Sequence, residues 1–181
     1  AFSFGGFDAA NEAAGALGPL AGLAREDFAG AVGLLLRETA TNPDKAWKAT
    51  TDFSEDVVKI MTGQSDLAPD PKDKRFMDPA WAFNPFFKAG AQYYLAVQKG
   101  VKSYIADLEL DALERDRANF ISQMIIDALA PTNSLIGNPT AQKRVVDSGG
   151  LSLIKGLKNA YNDMVHNDGM VSQVNKKPFK L

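Results

Sequence analysis

Residues 74–95 read KRFMDPAWAFNPFFKAGAQYYL and hold Phe76, Trp81, Phe83, Phe86, Phe87, Tyr93 and Tyr94, seven of the chain's seventeen aromatic residues. Two breaks, Asp78-Pro79 and Asn84-Pro85, punctuate the stretch before a helical pattern takes over. Asn is a preferred N-cap, and proline at the first helical position loses no hydrogen bond, because that amide has no intrahelical acceptor. Asn84-Pro85 is therefore expected to start a helix, with the aromatics before it pressed down as an anchor. A segment so apolar must be covered by the rest of the fold or by a partner.

Outward from the anchor, the pattern stays helical. Phe86, Gly90, Tyr93, Val97, Val101 and Tyr104 predict a buried stripe on a helix over 85–106, supplemented by Phe87, Tyr94 and Ile105. A further helix over 111–129 is expected to bury Leu113, Phe120, Ile121, Met124 and Ile125, and Pro131 ends it. Upstream, Phe28, Val32, Leu35 and Leu36 mark one face of a helix over 25–39. Asn42-Pro43 restarts a second helix whose stripe is Ala46, Thr50, Phe53, Val57 and Ile60, stopping near Gly63. Asn138-Pro139 opens a short helix that reaches Gly149-Gly150. A last helix over 151–166 carries Leu153, Ile154, Leu157, Tyr161, Met164 and Val165 on its apolar face.

The weak points of this pattern set the domain plan. Residues 1–24 are rich in Gly and Ala, with Phe2, Phe4 and Phe7 along them, and read as a flexible arm. The QSDLAPDPKD stretch over 64–73 has the Pro and Asp content of a linker. Residues 25–63 then form an amphipathic helical pair, and 74–181 a helical domain. The one weak strand candidate is 170–174. The expected fold is all-α, an irregular bundle of five to seven helices with an aromatic, Pro-rich anchor.

Composition bounds the function. The chain has 181 residues, 45% hydrophobic and 23% charged, enough for one domain with a core. A formal charge of −2 and pI near 5.4 argue against a nucleic-acid binder. The charge is uneven: residues 107–127 sum to −4 and residues 139–181 to +4. Solvated helix faces are the ordinary source of such runs. With no cysteine, disulfides, zinc–thiolate sites and a cysteine nucleophile are excluded within these residues. No run approaches the roughly 18 apolar residues of a membrane span. No basic residue precedes Arg25, unlike the charged start of a signal peptide, so a cytoplasmic location is expected.

Catalytic constellations are nearly absent. His166 is the single histidine and sits at a helix end, where a partly charged imidazole complements the helix dipole. Glu109, Asp111, Glu114 and Asp116 offer carboxylate oxygens, yet acids at a helix start ordinarily answer the same dipole. No nucleophile elbow, phosphate loop or dinucleotide fingerprint occurs. Lys176, Lys177 and Lys180 beside Pro178 fit a solvated tail. No cofactor and no metal is expected.

Three blocks nevertheless carry a resemblance. Asp73-Lys74-Arg75-Phe76 with Asp78-Pro79-Ala80-Trp81 and Asn84-Pro85 resembles the opening block of polyhydroxyalkanoate synthases. Asp127-Ala128-Leu129-Ala130-Pro131-Thr132-Asn133 with Asn138-Pro139, then Ser148-Gly149-Gly150 with Gly156-Leu157 and Asn159, resemble its next two blocks in order. The family's nucleophile is a cysteine on an α/β-hydrolase domain, for which this chain has neither the cysteine nor the box. The resemblance therefore implies a non-catalytic N-terminal domain, with Pro178-Phe179-Lys180-Leu181 near the expected start of the catalytic domain. The parent enzyme would polymerise 3-hydroxyacyl-CoA thioesters into storage polyester through a covalent thioester.

The resemblance further implies as partners the catalytic domain of the same enzyme, a second copy in a homodimer, the polyester granule and granule-associated proteins, with a location at granules. Phe28, Val32, Leu35, Trp47 and Phe53, on the first two helices, are expected to face the granule or partner. Two other classes stay open: a freestanding, phasin-like granule adaptor, and a small enzyme using a carboxylate or His166.

Overall fold

The structure is a computed structural model and describes residues 25–166. The expected arm over 1–24 and the strand candidate over 170–174 lie outside the described residues. Among the described residues seven α-helices occur in the order α1 (Arg25–Thr41), α2 (Pro43–Met61), α3 (Ala80–Phe83), α4 (Pro85–Asp107), α5 (Ala112–Ala128), α6 (Pro139–Asp147) and α7 (Leu151–His166). Short 3-10 turns lie at Lys74–Phe76 and Pro131–Asn133, and there is no strand among the described residues. The chain is all-α.

The Asn-Pro pairs start helices, though by two different devices. The Asn84 side chain accepts from the Phe86 and Phe87 amides, and Asn138 accepts from Thr140 and Ala141, each satisfying amides that the first turn leaves free. Asn42 instead turns backward. Its side-chain amide donates to the Glu38 carbonyl and carboxylate at 3.2 and 3.0 Å, tightening the corner between α1 and α2. At α5, Asp111 and Glu114 form a reciprocal capping box, which places the expected acids at the positive end of the helix.

Two compact units divide the chain after Asn133, rather than at 64–73. In the first unit α4 is central, with α2, α3 and α5 packed on it and α1 lying against α5 and α2. Its buried clusters are Phe28–Ala31–Ile121, Trp81–Phe87–Ala91 and Tyr94–Ile126–Ala130. The 64–73 segment is held to α4, because buried Gln92 donates its amide to the Ser65 and Leu67 carbonyls at 3.0 and 3.1 Å. Nearby, Lys99 grips both oxygens of buried Asp56 and fastens α2 to α4.

The inward face of α4 is rotated from the expected stripe. Phe87, Ala91, Tyr94 and Ile105 are buried, whereas Phe86 and Tyr93 are exposed. On α5, Ala118, Ile121, Ser122 and Ile126 are buried and the expected Leu113 and Phe120 are exposed. The cause is geometric. Adjacent positions on a helix are 100° apart, so two runs of large residues one step out of register both satisfy a 3.6-residue period.

Between α4 and α5 the chain turns at Leu108, which is buried. The Arg115 guanidinium reaches back to the Ile105, Ala106 and Leu108 carbonyls at 3.0 Å and to Leu110 at 3.3 Å. These include carbonyls that the last turn of α4 cannot satisfy internally, so Arg115 acts as its C-terminal cap. The second unit is a helix pair. Gly149 and Gly150 adopt φ of +56° and +86° between α6 and α7, the left-handed region that side chains disfavour. Ser148 Oγ then accepts from the Ser152 amide at 3.1 Å at the start of α7.

Candidate functional site

The anchor stretch folds partly inward and partly outward, and this division defines the candidate site. Asp73 accepts from the Arg75 amide and opens a single 3-10 turn. The turn aims the Arg75 guanidinium along α4, and Asp73 holds it through both carboxylate oxygens. Arg75 Nη1 then donates to Asp127 Oδ1 of α5 at 3.0 Å. On α4, the Tyr94 hydroxyl donates to the same oxygen at 2.6 Å and accepts from Gln98 at 3.0 Å. Gln123 donates to Asp127 Oδ2 at 3.0 Å. Asn133 closes the arrangement by donating to the Asp127 carbonyl at 2.7 Å.

Electrostatics follow from these contacts. For Asp127, burial works to raise the pKa, but the hydrogen bonds from Tyr94, Gln123 and Arg75 outweigh it and the net shift is below the usual 3.8. The Arg75 hydrogen bond lowers Asp73 in the same way. Burial, then the bond to Asp127, pushes the Tyr94 phenol above 10.0. Charges that satisfy one another so fully hold three chain segments together and leave little capacity for proton transfer.

Beneath this lock lies an aromatic stack. Phe76 and Phe87 meet Trp81 edge-on at 4.9 and 5.7 Å, and Trp81 is only 4% exposed. Its indole N–H has no hydrogen-bond partner among the described residues. On the outer side, Met77, Phe83 and Phe86 are exposed, Phe83 by 85%. The expected downward pressing of the aromatics before Asn84-Pro85 thus holds for Phe76 and Trp81 and fails for Phe83, while on α4 Phe87 and Tyr94 turn inward and Phe86 outward. The Asn84 cap fixes the turn that parts them, so the outward pair stands on a rigid base.

The five residues expected to face a partner are not one surface. Phe28 is 3% exposed in the core against Ala31 and Ile121, with Val32 packed beside it. An exposed role for Phe28 is therefore corrected: α1 uses that face to dock on α5. Leu35 and Phe53 are half-buried, and Phe53 meets Tyr93 edge-on at 5.6 Å. That pair lines an apolar cavity of about 450 Å³ between α2 and α4, with Ala46, Ala49, Val97 and Gly100. Trp47 alone stands outside, 75% exposed.

No cluster of three metal-ligating side chains occurs among the described residues. His166 closes α7 in the backbone, and its side chain lies outside the description. Sequence reasoning missed Phe83 and Phe86 as exposed aromatics. The available signal was their position on either side of Asn84-Pro85, where an extended cap residue separates two helices.

Fold and site together define a small helical domain organised around a half-exposed charge lock beside a buried aromatic stack, with apolar side chains displayed next to it. The chain belongs to the family described as the poly-beta-hydroxybutyrate polymerase (PhaC) N-terminus, which matches residues 72–181. It is 37% identical to poly(3-hydroxyalkanoate) polymerase 1 of Ectopseudomonas oleovorans, over 91% of this chain and 29% of that protein. Polymerase 2 of the same organism is 44% identical over 68% of this chain and 22% of its own length. The poly(3-hydroxyalkanoate) polymerase subunit PhaC of Cupriavidus necator is 31% identical over 72% and 22%. The chain thus spans less than a third of the length of these relatives. No solved structure matches it. The lock residues Asp73, Arg75, Phe76, Asp127 and Asn133 all fall inside the family match.

Proposed function

We propose that this chain is the non-catalytic N-terminal domain of a poly(3-hydroxyalkanoate) polymerase, an acyltransferase that joins 3-hydroxyacyl units from CoA thioesters into storage polyester. The observation that carries the reading is the family match over 72–181, which includes the residues that lock α4 and α5 to the anchor. In that role the domain stabilises a homodimer of the parent enzyme, supports the activity of its catalytic domain, and attaches it to the polyester granule or to granule-associated proteins. Such a location would be cytoplasmic, at granules. No described helix is long and apolar enough to cross a membrane.

Attachment through this unit requires exposed apolar side chains. Trp47, Phe83 and Phe86 supply them, each worth roughly 1.5–3 kcal/mol if fully buried by a partner. Val32, Leu35 and Phe53 contribute by holding α1 and α2 in place.

The test mixes the chain with a separately expressed catalytic portion of a polymerase and follows CoA release from 3-hydroxybutyryl-CoA. The proposal expects no release from the chain alone and a raised rate from the mixture. An unchanged rate, with binding of the chain to isolated granules, would favour a freestanding adaptor instead.

A further inference from the structure

In the second unit, α7 is an amphipathic helix whose apolar face stands open. At 100° per residue, Leu153, Ile154, Leu157, Tyr161 and Val165 fall within an arc of about 120°. All five are 44–75% exposed, although α6 packs on the same helix. The charge on this helix has one sign over its first three turns. Lys155 and Lys158 are the only charged residues between Leu151 and Asn162. Neither makes a hydrogen bond or ion pair among the described residues. Lys158 borders the apolar arc beside Val165, and Lys155 lies further round the polar side.

We propose that α7 binds the surface of an anionic phospholipid layer, lying in its plane with the Leu153–Val165 face among the acyl chains and Lys155 and Lys158 at the phosphates. An apolar face this wide, with one lysine at its border and a second on the polar side, is the pattern of an interfacial helix. Charge complementarity selects the anionic surface. Residues 139–181 carry seven Lys and Arg against three Asp, so the region is attracted as a whole. The exposed Met77–Phe86 rim of the first unit has no basic residue within it, its one charged side chain being Asp78. The inference does not depend on the polymerase reading, because it concerns the chain alone.

The experiment sediments the chain with vesicles of phosphatidylglycerol and phosphatidylcholine in about equal parts, and with phosphatidylcholine alone. Binding should be at least tenfold stronger to the mixed vesicles and fall as salt rises. Ile154→Glu with Leu157→Glu should reduce it at least tenfold. Lys155→Gln with Lys158→Gln should remove most of the preference for the anionic vesicles, about fivefold per lysine. Hydrogen exchange should slow across 151–166 when vesicles are added. Equal binding to both vesicle types overturns the proposal, as does undiminished binding by the double-Glu chain. So does a chain that ignores vesicles but dimerises through this face, with the double-Glu variant monomeric by sedimentation velocity. Circular dichroism of each variant, matched to the parent, shows that a lost signal is not lost folding.

Discussion

The Tyr94 hydroxyl donates a 2.6 Å hydrogen bond to Asp127 Oδ1, joining the middle of α4 to the last turn of α5 across 33 residues of sequence. Arg75 reaches the same oxygen from the 3-10 turn, so one carboxylate gathers three elements. Hydrogen bonds to a charged acceptor are shorter and stronger than neutral ones. Removing the acceptor leaves more groups unpaired than removing one donor.

Tyr94→Phe is therefore expected to cost about 1.5–3 kcal/mol, and Asp127→Ala more, because Tyr94 and Gln123 lose their carboxylate acceptor and Arg75 keeps that of Asp73 alone. Urea unfolding of the two variants checks the order. Equal or negligible losses would mean that solvent replaces the lock.

The same contacts set a pH dependence. Asp73 and Asp127 have folded pKa values below 3.8, so their contribution is complete above that value and fades as pH falls through the folded pKa. Tyr94 lies above 10.0 when folded, so its contribution is complete below 10 and fades as pH rises past the folded value. Thermal midpoints should form a plateau between these limits. In Asp127→Asn the acid-side decline should be shallower.

Arg115→Ala should destabilise the first unit by at least ~1.5 kcal/mol, because it frees two carbonyls at the end of α4 and two more in the turn that follows. Arg115→Lys should recover only part, as an ammonium cannot reproduce the planar fork. Hydrogen exchange over 101–110 would report the fraying directly.

Burial separates two aromatic positions that look alike in sequence. Phe28→Asp puts a charge into the α1–α5 core and is expected to cost more than ~3 kcal/mol. Trp47→Asp and Phe83→Ser should each shift stability by only about 0.5 kcal/mol. Granule pull-down with the latter two then tests attachment without a folding artefact, which a Phe28 variant cannot do. If both bind granules as well as the parent, the exposed aromatics are not the contact.

What the sequence determined by itself was local. The three Asn-Pro pairs, the Asp111–Glu114 spacing and the Gly149-Gly150 stop all mark helix ends, because caps and breaks act within a few residues. The apolar face of α7 was legible for the same reason, and so was the order of the family blocks. Tertiary structure decided which side of α4 and α5 faces inward. Phe86 and Tyr93 compete with Phe87 and Tyr94 one step away, and periodicity does not choose between them. It also decided that Phe28 serves the core and Trp47 the surface, and that Asp127 meets Arg75 from 52 residues away. Those outcomes depend on which helices meet, and a contact between distant segments leaves no trace in the local pattern of either one.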